Sequence, residues 1–438
     1  MSDKKAIVIL GAGFGGMKAV FELQKGLRRH NLLEQYEIFL VDRNSYHTYT
    51  PTLYEIATTS KETAGNLRLK EIAAFDIQEL TGKIGINFIK AEIKELDLIG
   101  DNIHFTNGTD LKFQYLILAL GSVVNYFAIP GMAERSLALK TFADALKIRD
   151  KITNLILDGQ KNIKIVIGGG GTTGVEVAGE LRGWIGELKK EAGQCNFEIS
   201  VIEASPTILP GFDSKIISLA QKRLKNIGVK LILNEAIDHA LPGKIITKSR
   251  MGVPYDILIW TGGTKSSPIV SRLPVKIERR GRIEVGAGME CLPAYGGARG
   301  DQGLPAGAGL PQAPDLKLSG KIYAIGDAVC CYDRSGKPIP GVAPVAIAQG
   351  EIAAKNIIAD ITGGLTQKYS PKKYPYIVPI GGKWAIAQLG PLTIHGFAGW
   401  ILKGLVELKY LLSIMPLYKA VRVWLSGLII FIKNDRLG

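Results

Sequence analysis

The sequence predicts an α/β fold in which one βαβ unit occurs twice, followed by a helical C-terminal segment of different character. Three observations lead there. A glycine-rich turn joins a strand-like run to a helix-like stretch within the first 42 residues, and the same arrangement returns after residue 163. Three further β-branched, apolar runs each end in glycine or a small residue, as buried strands of a parallel sheet do.

The first strand is read at Ala6–Leu10, its helix runs to about Arg29, and the second strand is Glu37–Val41. The repeat comprises Ile163–Ile167, a helix from Gly174 to about Lys190, and Glu198–Ile202. The remaining strands are placed at Tyr115–Leu120, Tyr255–Trp260 and Lys321–Ile325. In doubly wound sheets ligands bind at the carboxyl ends of the strands, so these ends should surround two nucleotides. Gly286–Leu310 is dense in Gly, Ala and Pro and reads as an extended surface insertion.

With 438 residues, 46% hydrophobic and 21% charged, the chain is long enough for two or three folded domains. The net charge of +14 favours polyanionic surroundings, nucleic acid or an anionic membrane face, and does not choose between them. Cys195, Cys291, Cys330 and Cys331 lack Cys-x-x-Cys spacing, which argues against a disulfide framework or a metal site. The polar N-terminus and the five-residue apolar run that stops at Gly11 read as a first strand rather than a signal peptide, so the soluble part is expected in the cytoplasm.

The character changes again from about Trp384. Gly399–Leu412 and Tyr418–Ile432 are rich in Leu, Ile, Trp and Tyr but interrupted by Lys403, Lys409, Lys419, Arg422 and Lys433. Within these two stretches the longest charge-free run, Val423–Ile432, is far short of the roughly 20 residues of a spanning helix. Helices lying in the surface of an anionic membrane are expected, with Trp400, Trp424 and Tyr418 at the headgroup level. A helical pair packed on the core or on a second subunit, as in a homodimer, is the alternative. On the membrane reading, a chain ending near Thr393 stays soluble and still oxidises its donor. No spanning helix means no expected proton pumping.

Gly11-Ala12-Gly13-Phe14-Gly15-Gly16 has the G-x-G-x-x-G form directly after a strand and before a helix. Glycines let the backbone approach a pyrophosphate, and the helix start offers free N–H groups and a positive dipole end. Asp42 can accept from a ribose hydroxyl, although it follows Gly11 by 31 residues where about 20 is usual, which implies a long helix or loop. Gly169-Gly170-Gly171-Thr172-Thr173-Gly174 repeats the motif, and Glu203 closes it; an acid there disfavours a 2′-phosphate. Glu176 lies just inside the second helix, either as a plain N-terminal helix acid or as a proton relay. Gly326-Asp327 ends a strand where an acid can bind ribityl hydroxyls.

These strings, with Asp42-Arg43-Asn44-Ser45-Tyr46-His47, Pro51-Thr52-Leu53-Tyr54-Glu55, Leu120-Gly121-Ser122, Gly174-Val175-Glu176 and Gly396-Phe397-Ala398-Gly399-Trp400, resemble the type II NADH dehydrogenases almost end to end. These are single-chain flavoproteins with two dinucleotide-binding domains. The resemblance implies two Rossmann-like domains, a discontinuous FAD domain (1–125 and 266–383) with an NADH domain (126–265) inserted, and a membrane-surface segment (384–438). It implies that Gly11, Ala12, Gly13, Phe14, Gly15, Gly16, Asp42, Arg43, His47, Ile93, Gly121, Asp327, Val345, Ala346 and Lys383 bind FAD. Gly169, Gly171, Thr172, Thr173, Gly174, Glu203 and Gly262 would bind NADH, and Glu176 would be catalytic between nicotinamide and flavin. Pro344, Gln349 and Lys383 would face a quinone, on the cytoplasmic side of the cell membrane.

One stretch departs from the family. The usual Ala-Gln-x-Ala-x-Gln is here Ala343-Pro344-Val345-Ala346-Ile347-Ala348, with Gln349 one position late. Two other readings stay open: a sulfide:quinone oxidoreductase, which needs cysteines near the flavin, and a membrane-attached FAD-binding redox sensor.

Overall fold

The computed structural model describes residues 4–192, 195–294, 321–333, 336, 338–372 and 374–434. The chain divides into two compact units, Met1–His47, Asp76–Val123 and Lys265–Lys372 in the first, and Thr48–Phe75, Val124–Thr264 and Lys373–Gly438 in the second.

The first unit is built on a five-stranded parallel sheet in the order Ile322–Ala324, Tyr115–Leu118, Lys5–Leu10, Tyr36–Asp42, Asn87–Lys90. The crossover helix Phe14–Arg29 buries Met17, Val20, Leu23 and Leu27, a helical stripe, and carries Arg28 and Arg29 at its negative end. It packs on the helix Ala343–Thr362 with almost no room between backbones. A Cβ on Gly350 would lie 2.3 Å from the Gly15 carbonyl oxygen. The second unit repeats the sheet: Leu137–Ala138, Ile257–Trp260, Asn162–Gly168, Asn196–Ile202, Val229–Ile232, again all parallel. The strands Tyr115–Leu118 and Ile257–Trp260 are buried along their whole length, because helices cover both faces of such a sheet.

Each unit also carries a three-stranded antiparallel meander, at 93–112 in the first and 237–254 in the second, which hydrophobic pattern alone does not indicate. This corrects the strand expected to begin at Tyr255. Its N–H is held by Gly243 and its hydroxyl by Leu241, so it belongs to the meander and the parallel strand starts at Ile257. Residues 119 and 120 likewise leave the sheet, since the carbonyl of Ala119 fills the space over Gly11.

The described part of the insertion expected from Gly286 is not an extended surface segment. Cys291 donates to the Ile322 carbonyl at 2.9 Å and Ala324 to that of Met289 at 3.0 Å, while Met289 is fully buried. This stretch is part of the sheet edge; the remainder, 295–310, lies outside the described residues.

In the second unit a three-stranded sheet, Tyr376–Pro379, Ala385–Leu389 and Leu392–Gly396, leads into the helices Phe397–Ile414 and Leu417–Asn434. Among the described residues no helix is long and apolar enough to cross a membrane. Exposed Phe397, Ile401 and Leu405 follow one another at helical spacing, with exposed Lys409 next in line. Two side chains expected at a lipid interface hold partners within the unit. Lys403 pairs with the buried Glu55, and the Trp424 indole N–H donates to the Gly404 carbonyl at 2.8 Å.

Candidate functional site

Two loops of one design occupy the carboxyl ends of the two sheets. In the first, Gly11 has φ +111°, and a Cβ there would lie 2.2 Å from the Ala119 carbonyl oxygen; a Cβ on Gly16 would lie 1.9 Å from that of Gly11. The fold itself therefore demands these glycines. Around Gly13, by contrast, a Cβ would meet nothing within 4 Å. Its absence leaves room above the loop, where the following helix begins with no side-chain cap and no acid in its first turn. Uncapped N–H groups, a positive dipole end and clearance for close approach suit a pyrophosphate.

The second loop matches position by position. Gly169 has φ +108° and abuts Gly262, a Cβ on Gly174 would lie 2.0 Å from the Gly169 carbonyl oxygen, and Gly171 opens to free space. Thr172 and Thr173 start the helix Thr172–Ala192, Thr172 being exposed. Gly262 is itself required by the Trp260 ring, which a Cβ would approach to 2.3 Å. Trp260 is held in turn by the Asn125 carbonyl at 2.8 Å.

The closing acids are equivalent too. Asp42 accepts from the N–H of Ala12 and of Asn44, both at 2.8 Å. Glu203 accepts from Gly170 at 2.7 Å and from Ser205 at 2.8 Å. The long spacing to Asp42 is accounted for by the 16-residue helix and the turn that follows it.

Other sequence-predicted residues of the first unit take distinct places. His47 is buried, donates from Nδ1 to the Ala12 carbonyl at 2.7 Å and meets the Phe14 ring edge-on; burial lowers its pKa to about 4, so the imidazole is neutral. Arg43 is exposed and Ile93 and Gly121 are half-buried. Asp327 accepts the Ser122 hydroxyl at 2.7 Å, which ties the Gly121 turn to the Gly326 strand end. Val345 and Ala346 are buried in the helix Ala343–Thr362, and Pro344 is exposed at its start. The amide of Gln349 does not face open space: it accepts from the Gly326 N–H at 2.8 Å and donates to the Cys331 sulfur at 3.4 Å.

In the second unit Glu176 is half-buried in the helix Thr172–Ala192. Burial pushes its pKa up to about 8, against Lys403, which lowers it, and with Glu55, which raises it further. Lys383 stands in the loop after Gly381, where a Cβ would come within 2.2 Å of the Gly179 carbonyl oxygen, and Arg223 clamps that loop through the Gly381 carbonyl at 2.8 Å. One small cavity is lined by Tyr54, Glu55, Glu180, Lys383, Trp400 and Phe431 among others. A second, more apolar one lies between the C-terminal helices, lined by Glu55, Trp400, Lys403, Glu407, Trp424 and Phe431 among others. Sequence reasoning missed Gly179, Arg223 and Glu407, and gave Lys403 to the lipid surface. The one available signal was Lys403 and Glu407 four apart in a largely apolar helix.

Paired loops of this design, each closed by an acid, define a protein that binds two dinucleotides. Residues 5–292 match the pyridine nucleotide-disulphide oxidoreductases, and the chain belongs to that family. It is 25% identical over 427 residues to the type II NADH:quinone oxidoreductase of Staphylococcus aureus, covering 94% of this chain and 96% of the relative. The enzyme of the same name from Staphylococcus saprophyticus is 25% identical over 422 residues, covering 93% and 95%. Among solved structures, NDH2 from Plasmodium falciparum in complex with NADH has the same fold, with a TM-score of 0.77 over 98% of both chains at 18% identity. The sulfide:quinone oxidoreductase of Aquifex aeolicus gives 0.72 at 19% identity, covering 96% of this chain and 92% of the other.

Proposed function

We propose that this protein is a FAD-dependent NADH:quinone oxidoreductase that works at a membrane surface. The observation that carries the reading is the repetition of one cradle, with open space at Gly13 and again at Gly171 that the fold does not itself require. The first cradle would hold the FAD pyrophosphate, with Asp42 toward the ribose and Asp327 toward the ribityl chain. The second would hold NADH, with Glu203 toward the adenosine ribose. FAD, when bound, supplies two-electron chemistry between hydride donor and quinone. The chain supplies placement through its helix starts and acids, and Glu176, which near neutral pH can hold or release a proton.

The names of the staphylococcal relatives support the quinone as acceptor. The exposed apolar rows of the C-terminal helices, with Lys409 and Arg422 among them, support delivery at an anionic membrane surface. The cysteines give the sulfide reading little support. Burial raises the Cys331 thiol to about 11 and that of Cys291 further, whereas reactive cysteines are thiolates at neutral pH.

Anaerobic addition of NADH to the FAD-loaded protein should bleach the oxidised flavin, and a short-chain quinone should restore it. Bleaching by sulfide but not by NADH would replace this reading with the sulfide one.

A further inference from the structure

The proposed reaction takes one proton from water in each cycle: NADH, a quinone and one proton become NAD+ and a quinol, the hydride carrying both electrons and the other hydrogen. Buried carboxylates poised near neutral pH are suited to hold such a proton. The second unit gathers four carboxylates around one lysine.

We propose that Lys403 is a positioning residue for this proton step, binding directly to Glu55, which lines both cavities, and holding Glu176 and Glu407 with it as one proton-holding cluster. The inference rests on the function proposed above. Lys403 sits on the inward face of the helix Phe397–Ile414, one turn before the buried Glu407, whereas Ile401 and Leu405 on either side are exposed. Its ammonium lies 2.6 Å from the Glu55 carboxylate, 5.3 Å from the centre of the Tyr54 ring and 5.8 Å from that of Phe431. Glu55 and Phe431 line both cavities.

A helix whose outer face is apolar gains nothing from desolvating a lysine on its inner face unless anions require it. The carboxylates and phenols that face it come from every side. The helix Leu53–Ala57 brings Glu55 and the Tyr54 phenol, the helix Thr172–Ala192 brings Glu176 and Glu180, and Lys403's own helix brings Glu407 and Tyr410, with Tyr49 facing Glu407 and Glu55. Burial works against the charged lysine, but Glu55 and Glu407 outweigh it and keep Lys403 protonated. One cation cannot balance four carboxylates in so dry a place, so protons must complete the balance. Glu407 is raised to about 7 and Glu176 to about 8, both chiefly by burial, while the phenols of Tyr49, Tyr54 and Tyr410 are pushed well up and stay protonated. Removing Lys403 takes away the one group that lowers both carboxylates.

The test is an infrared titration of protonated carboxyl groups in FAD-loaded protein without substrate, from pH 5 to 10, beside the pH profile of NADH-driven quinone reduction. In Lys403→Met the carboxyl titration and the midpoint of the turnover profile should both move up by about 1 unit or more, the scale of losing one opposite charge at short range. Lys403→Arg should restore both. Should Lys403→Met fold poorly, the pair Glu55→Gln with Lys403→Met, which removes both members of the direct ion pair, should still move the titration upward by a smaller amount. An unmoved titration in these variants would overturn the proposal and leave Lys403 as a tie between helices. A moved titration with an unmoved turnover profile would overturn it as well. Failure of NADH to reduce the wild-type flavin would sink the enzymatic reading itself, a result distinct from an unmoved titration in an enzyme that still turns over.

Discussion

The carboxylate of Glu203 accepts the Gly170 N–H at 2.7 Å, as Asp42 accepts that of Ala12 at 2.8 Å, so each acid is anchored to the second residue of its own glycine loop. An anchored carboxylate cannot swing away from an incoming 2′-phosphate. NADH should therefore be used at least tenfold better than NADPH in kcat/KM, about 1.4 kcal/mol. Glu203→Gln, which can still accept from Gly170, should narrow that gap, and steady-state kinetics with both donors checks it. Equal use of the two by the wild type would overturn the assignment.

The raised pKa of Glu176 has a consequence for stability with a definite sign. An ordinary glutamate in the unfolded chain loses its proton near 4.5, whereas in the folded chain Glu176 keeps it to about 8. Between these values the folded state binds more protons, so this group's contribution falls as pH rises through the window and is constant above it. At about 1.4 kcal/mol per unit the loss is a few kcal/mol. Glu176→Gln should thus raise the midpoint of thermal unfolding relative to wild type at pH 9 and much less at pH 5. Equal effects at both pH values in calorimetry would argue that Glu176 is ionised throughout.

Truncation near Thr393 is not the clean test of membrane docking that the sequence suggests. It would cut the strand Leu392–Gly396 and strip Lys403 from the buried Glu55. Substitutions on the exposed face avoid this. Leu405→Glu together with Ile429→Glu should abolish binding to anionic liposomes in a flotation assay while NADH still reduces the flavin. High salt should weaken but not remove wild-type binding, since basic side chains contribute about 1 kcal/mol each and apolar contact remains. Undiminished liposome binding by the double variant would assign this face to another partner.

Much of the nucleotide machinery is legible in the residue order because it is local. A strand, a glycine turn and a helix occupy consecutive residues, and their spacing is dictated by backbone geometry, so both cradles can be marked on the sequence alone. The strand ends are less legible: whether residue 119 or 255 belongs to a sheet depends on contacts with other segments, the Ala119 carbonyl against Gly11 in one case and the Tyr255 N–H on the Gly243 carbonyl in the other.

By itself, the sequence determined that this protein has two βαβ cradles closed by Asp42 and Glu203, and that its C-terminal helices are too interrupted by charge to span a membrane. Only the tertiary structure decided which of those charges face outward. Lys403 and Glu55 are 348 residues apart and meet at 2.6 Å. Nothing in local spacing marks such a pair, because a lysine on a largely apolar helix reads the same whether it reaches for a phosphate headgroup or a buried carboxylate. The choice falls to packing, which put the side of the helix that carries Lys403 and Glu407 against Glu55 and Glu176, where a charge without a partner would be unstable.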